Sequence, residues 1–152
     1  MKKVLTLLLM SLLLLHARSQ TCEQREKVQV STIGSFSAAF LYNTYGMIGS
    51  LADGFGHDAY DEETMTGLLN AQTKLLDNMT QVMEKLFLGN NLQDSVDANY
   101  ARNTATLLQG LKKQVQHLQE YVNSKSKQKL DAFHVQQDKN WKAISKLMGI
   151  KD

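Results

Sequence analysis

Between Met65 and Leu86 the apolar positions advance by alternating steps of three and four. Met65, Leu68, Gln72, Leu75, Met79, Val82 and Leu86 make the stripe, and Leu69, Leu76 and Met83 widen it on one side. Only an α-helix brings residues at that spacing onto one face. The face is as broad as that of a bundle helix, wider than the seam of a two-stranded coiled coil. Proline occurs nowhere in the chain, so no position carries the residue that most strongly breaks helices.

The ends of this helix are also marked. Asp58 or Asp61 supplies a carboxylate for the open amides of the first turn, and Glu62 and Glu63 suit the positive end of the dipole. Gly89 with Asn90 and Asn91 predicts a left-handed stop, which places the helix at about 60–88.

A first helix over about 22–53 carries Val30, Ile33, Phe40, Met47 and Leu51 on one face, with Leu41 and Ile48 beside them. Asp53, Gly54, Phe55, Gly56 and His57 read as a turn, because two glycines in three positions make continued helix costly. A third helix beginning near Leu92 or Ser95 has Tyr100, Leu107, Leu111, Leu118 and Tyr121 on its stripe, flanked by Leu108, Val115 and Val122. The pattern breaks over Asn123, Ser124, Lys125, Ser126 and Lys127, then resumes with Leu130, Phe133, Trp141, Ile144 and Leu147. Either a turn separates a third from a fourth helix there or one long helix runs through; the polar break favours the turn, although neither glycine nor proline marks it. The expected fold is all-α: an up-and-down bundle of three to four antiparallel helices, each roughly 40–48 Å long.

Lys2 and Lys3, the uncharged apolar run from Val4 to Leu15 and the polar residues from His16 onward have the layout of a secretory signal. The run is too short to span a bilayer comfortably. Ala17 and Ser19 are small residues three and one positions before Gln20. Residues 1–19 are therefore read as a cleaved signal peptide and 20–152 as a single helical-bundle domain of about 133 residues. Cys22 is the only cysteine, so it is free or pairs with another chain. Ser19, Gln20 and Thr21 before it do not match the Leu-x-small-Cys pattern of lipoprotein processing, and lipidation is not favoured.

Removing the signal leaves 14 basic against 15 acidic residues, so the net charge of +2 misdescribes the expected mature protein. The distribution is more informative. Residues 20–100 hold 4 basic and 11 acidic residues, net −7, and residues 101–152 hold 10 basic and 4 acidic, net +6. Lys112, Lys113, Lys125, Lys127, Lys129, Lys139, Lys142 and Lys146 are candidate contacts for acidic lipid or polyanions, with Tyr121 and Trp141 nearby. A solvated face, partly neutralised by the acidic helices, is the plainer reading of these lysines.

From Val28 to Ala52 there is no charged residue. Gly46 and Gly49 lie one helical turn apart, with Gly34 further up, and small residues at such spacing let helix backbones approach closely. Gln29, Ser31, Thr32, Ser35, Ser37, Asn43, Thr44 and Ser50 argue against membrane insertion, since unpaired polar groups are costly in hydrocarbon. The expectation is a largely buried helix whose neighbours pack tightly at Gly34, Gly46 and Gly49.

No reaction constellation is visible. His134 with Asp138 and His117 with Glu120 share helix faces, but a metal site wants several such groups converging, and no metal ligand is assigned. Met65, Met79 and Met83 fall on the apolar stripe as core filler, and no Cys-x-x-Cys-His run attaches haem. There is no Gly-x-Ser-x-Gly turn, His-Glu-x-x-His pair or Gly-Lys-Ser/Thr phosphate loop, and Asp61, Glu62 and Glu63 read as first-turn residues. The chain is read as a non-enzyme without a cofactor: an exported interaction or structural component of the periplasm, cell envelope or exterior. Its expected partner is another envelope protein or a second copy of itself. Binding of acidic lipid or polyanions at the membrane surface is the alternative, and a metal-binding bundle is third. Nucleic acid is disfavoured by export, and no small molecule is named.

Overall fold

The computed structural model describes residues 22–89, 92 and 94–150. The expectations for residues 1–19, for Asn90 and Asn91 and for the Cys22 thiol lie outside what it describes. The described residues form four α-helices and no strand: α1 (Cys22–Gly56), α2 (Glu62–Leu88), α3 (Ser95–Ser124) and α4 (Lys127–Met148). The chain divides into two units at Ile33. In the described part of the first, α1 begins as exposed helix in which the Thr32 hydroxyl donates back to the Val28 carbonyl at 2.8 Å.

The second unit, from Gly34 onward, holds the bundle. Asp77 pairs with Lys112, Thr66 with Gln119 and Glu62 with Lys125, so α2 and α3 run in opposite directions. Asn140 meets Gly110 while Lys129 meets Glu120, so α3 and α4 do the same. Ser37 lies beside Tyr100 and Phe55 beside Tyr121, which makes α1 parallel to α3 and opposed to α2 and α4. That is the up-and-down arrangement.

The ends of the helices follow local chemistry. Asp61 caps α2, its Oδ1 accepting from the Thr64 amide at 2.8 Å, and Asp94 and Ser126 cap α3 and α4 in the same way. The polar break at Asn123–Lys127 is a turn: Lys125 adopts a left-handed φ of 51° and its amide donates to the Tyr121 carbonyl at 2.7 Å.

Three sequence expectations are corrected. The helix does not stop at Asp53 but continues through Gly54 and Gly56, and the reversing residue is Asp58, at φ 57°. Asp58 N–H donates to Phe55 O and Ala59 N–H to Gly54 O, closing the last turn. Gly54 has a steric role instead: a Cβ there would lie 2.5 Å from the Tyr60 ring folded back over it. Gly89 stops α2 at φ −82°, outside the left-handed region. Finally, the buried face of α2 is rotated from the stripe read in the sequence. Met65, Leu69, Gln72, Leu76 and Met83 are buried, whereas Leu75 and Val82 are exposed, because α2 turns its widened edge toward α3.

The core joins Leu41, Ile48 and Phe55 of α1 to Leu69 and Leu76 of α2, Leu108, Leu111, Val115 and Leu118 of α3, and Phe133 and Ile144 of α4. Between α3 and α4 lies a polar cluster. Asn140 Nδ2 donates to Gly110 O at 3.0 Å and to Gln114 Oε1 at 2.8 Å, while Gln136 Nε2 donates to Asn140 Oδ1 at 2.9 Å. Gln114 is completely buried and Gln136 and Asn140 nearly so. Amides buried so deeply need partners, which ties α4 to one register along α3.

Two exposed carboxylates couple the fold to pH. The Thr64 side chain and amide bonding to Asp61 hold its carboxyl below the usual range. The hydrogen bond and charge of Lys129, with a smaller part from His117, do the same for Glu120. A folded pKa below the unfolded one contributes stability that is present above the unfolded value, about 4, and is lost as pH falls through the folded value. Melting temperature is therefore expected to drop below about pH 4, and more gently in Asp61→Asn with Glu120→Gln, since asparagine also caps helices without titrating. An acid limb unchanged in that double variant would show that these carboxylates do not set it.

Candidate interaction surface

α1 is not the largely buried helix that its uncharged sequence implies. Leu41, Thr44, Ile48, Leu51 and Phe55 face the core, but the opposite side is open. Ser35, Ala39, Asn43, Gly46 and Ser50 lie along it, all exposed, and Phe36 beside them is 75% exposed, Tyr42 48% and Met47 43%. At 100° per residue Phe36 and Met47 flank the small residues on one side and Tyr42 on the other. Each flank is anchored to a neighbouring helix: Gln72 Nε2 of α2 reaches Met47 Sδ at 3.6 Å, and Trp141 of α4 stacks 6.2 Å from Tyr42 and 5.4 Å from Tyr45. Burial first, and then the Asp138 charge, push the Tyr45 phenol above its ordinary pKa. The strip is thus backed by side chains of α2 and α4 and offers uncharged surface in front.

The three glycines expected to mark close helix contacts divide. A Cβ on Gly46 would meet nothing within 4 Å, so the close contact inferred there is not found among the described residues, toward which Gly46 does not face. At Gly49 a Cβ would stand 3.2 Å from Gln137 Nε2, the mobile end of a side chain, and at Gly34 3.8 Å from the Tyr100 ring, an ordinary contact. The Tyr100 hydroxyl donates to the Gly34 carbonyl at 2.8 Å. Among the described glycines the one most crowded by another helix is Gly110, where a Cβ would stand 2.6 Å from Asn140 Oδ1. A polar residue in α4 had to be paired with a glycine in α3 to see this, and the sequence carries no signal of that pairing.

Three of the eight lysines are paired with carboxylates. Lys112 is paired with Asp77 at 2.6 Å, Lys125 with Glu62 at 2.8 Å and Lys129 with Glu120 at 2.8 Å. Lys113, Lys127, Lys139, Lys142 and Lys146 are exposed. Lys139, Lys142 and Lys146 share a face of α4, but Asp138 stands one turn from Lys142 and Asp131 one turn from Lys127. Tyr121 packs edge-on against Phe55 and Trp141 against α1, so neither ring is turned toward the lysines as an open stacking platform.

His117 lies 3.6 Å from Glu120, and His134 faces Gln137 at 3.3 Å. Among the described residues no three His, Cys, Asp or Glu side chains are placed to hold a metal ion, and no helix is long and apolar enough to cross a membrane. An open cleft of about 540 Å3 at the other end of the bundle is walled by Phe55, Tyr60 and Tyr121 and rimmed by Asp61, Glu62 and Lys125. The Glu62–Lys125 pair spans it, so the lysine on its rim is already paired with a carboxylate. No family model, curated protein or solved structure matches the chain.

Proposed function

We propose that the chain, once exported, acts as a non-catalytic interaction component of the cell envelope or exterior and binds protein through the open side of α1. The observation that carries this reading is Phe36. A phenylalanine 75% exposed on a helix surface that lacks charge from Gly34 to Ala52 is costly in water and suits a surface that another protein covers. Its backing supports the same role: Leu41 and Ile48 are fully buried beneath the strip, so the surface is presented on a helix packed against the core. The cell exterior as its place rests on the charged start and apolar run of residues 1–19.

Site-specific photo-cross-linking in the producing cells tests this. A photoreactive residue at Phe36 or Ser50 should give discrete protein adducts, and one at Gln128, exposed near the start of α4, should not. Adducts from Gln128 alone would shift the interface to the lysine-bearing side. Salt-sensitive retention on acidic vesicles, lost in Lys139→Glu with Lys146→Glu, would replace this reading with the anionic-surface one.

A further inference from the structure

Gln72 is the one polar residue on the apolar stripe of α2, and only 7% of it is exposed. Among the described residues its Oε1 has no hydrogen-bond partner, and its Nε2 donates to the Met47 sulfur at 3.6 Å. A thioether is a weak acceptor, so this buried amide is short of bonds at both of its ends. One oxygen added to the sulfur would give the donor the acceptor it lacks. We propose that Met47 is a site of reversible oxidation, at which a peroxide converts the thioether to a sulfoxide and the Gln72 amide holds the new oxygen.

The step is an oxygen transfer. A lone pair of Met47 Sδ attacks one oxygen of hydrogen peroxide, the S–O bond forms as the O–O bond breaks, and the other oxygen leaves with both hydrogens as water. Sulfur is oxidised and peroxide is reduced. Access selects the residue. Met47 is 43% exposed, whereas Met65 is fully buried, Met83 is 2% exposed, and Met79 and Met148 pack against the core. Gly46 adds no side chain beside it, and Asn43 and Ser50, a turn away on either side, are short and exposed, so its neighbours along the helix leave the sulfur open.

Oxidation of a core methionine puts a polar group among apolar ones and loosens the packing. At Met47 the same oxygen finds a donor. Rotation about the flexible methionine side chain brings the sulfoxide to Gln72 Nε2, where an N–H···O bond replaces the weaker contact to sulfur. The bundle is kept, and the open side of α1 exchanges an apolar group for a polar one. A methionine sulfoxide reductase removes the oxygen and restores the thioether. Met47 reacts in this way in the free protein, whatever covers α1 in the cell.

Purified Cys22→Ser protein, which has no thiol to compete, is treated with dilute hydrogen peroxide and followed by peptide mass spectrometry. Met47 should gain an oxygen at least about tenfold faster than Met65 and Met83, which react only when the bundle opens locally, and ahead of Met79 and Met148. As it does, the Gln72 side-chain amide protons should move downfield in an amide correlation spectrum, and a sulfoxide reductase should return both mass and resonance. Oxidised protein should melt within about 1 °C of the reduced form, whereas oxidation of Gln72→Leu should lower melting by roughly 3 °C, the scale of one hydrogen bond in a domain of this size. Met47→Leu should fold as the wild type does and lose the response at Gln72. Oxidation of Met79 or Met148 first, a Gln72 resonance that does not move, equal melting shifts with and without Gln72, or a mark that the reductase cannot remove would each overturn the proposal. Should Gln72→Leu not fold, the Gln72 resonance of the otherwise wild-type chain decides alone.

Discussion

Replacing Gly110 with alanine is expected to destabilise the bundle by about 2 kcal/mol, although alanine is the better helix former. The added methyl would lie 2.6 Å from Asn140 Oδ1. A loose side chain would swing aside at little cost. Asn140 is not loose: its amide donates to the Gly110 carbonyl and to Gln114, and its oxygen accepts from Gln136. Any displacement breaks a bond between groups shielded from water, which is where an unmade bond costs most. For a domain of this size the loss lowers the melting temperature by roughly 5–10 °C. Asn140→Ala is expected to destabilise as well, and the double variant should lose less than the two single losses combined, because the clash disappears with the side chain. Gly110→Ala melting at or above the wild type would show that Asn140 is free to move.

Ile48→Ala should cost about 2–5 kcal/mol in chemical denaturation, the range for a buried aliphatic cut back to its Cβ. Ile48 is fully buried, one turn beyond Thr44 on the inner side of α1. The backbones of α2 and α3, and of α3 and α4, pack close together, whereas α1 stands further off and reaches them through Met47, Tyr42, Tyr45 and Phe55. A helix held by long side chains detaches before the closer pairs separate. Amide exchange in Ile48→Ala should therefore rise first along α1 and leave Leu111 and Leu118 protected. Uniform acceleration across all four helices would show that α1 belongs to a single cooperative unit with the rest.

The periodic parts of this fold were legible in the sequence because periodicity reports burial directly. Of the stripe and flank read for the third helix, Leu107, Leu108, Leu111, Val115, Leu118 and Val122 are buried, and Tyr100 and Tyr121 are half-buried. The α3–α4 turn was legible as a lapse in that pattern, though the left-handed residue is a lysine that no turn rule singles out. What failed depended on neighbours. Two glycines in three positions look like a turn, but a helix tolerates them where a ring such as that of Tyr60 needs the space of one Cβ. An uncharged stretch with small residues looks buried, yet among the described residues no helix covers the outer side of α1, and sequence spacing does not count the neighbours a helix has. The contact of Gly110 with Asn140 joins positions thirty residues apart, beyond the reach of any local pattern.

The up-and-down order also decides how the bundle bears load. Ser37 near the start of the packed part of α1 meets Tyr100, and Leu147 near the end of α4 lines a hollow with Asn103 and Leu107, so the start of the packed part of α1 and the end of α4 lie at one end of the bundle. Tension applied through those two ends pulls α1 and α4 apart like the sides of a zipper, loading one turn of helix at a time instead of shearing whole faces together. α1 peels first, and the amides around Asn140, midway along α3 and α4, are reached only after several turns have parted. A bundle built this way is expected to yield turn by turn at low force and to re-close from the far turns.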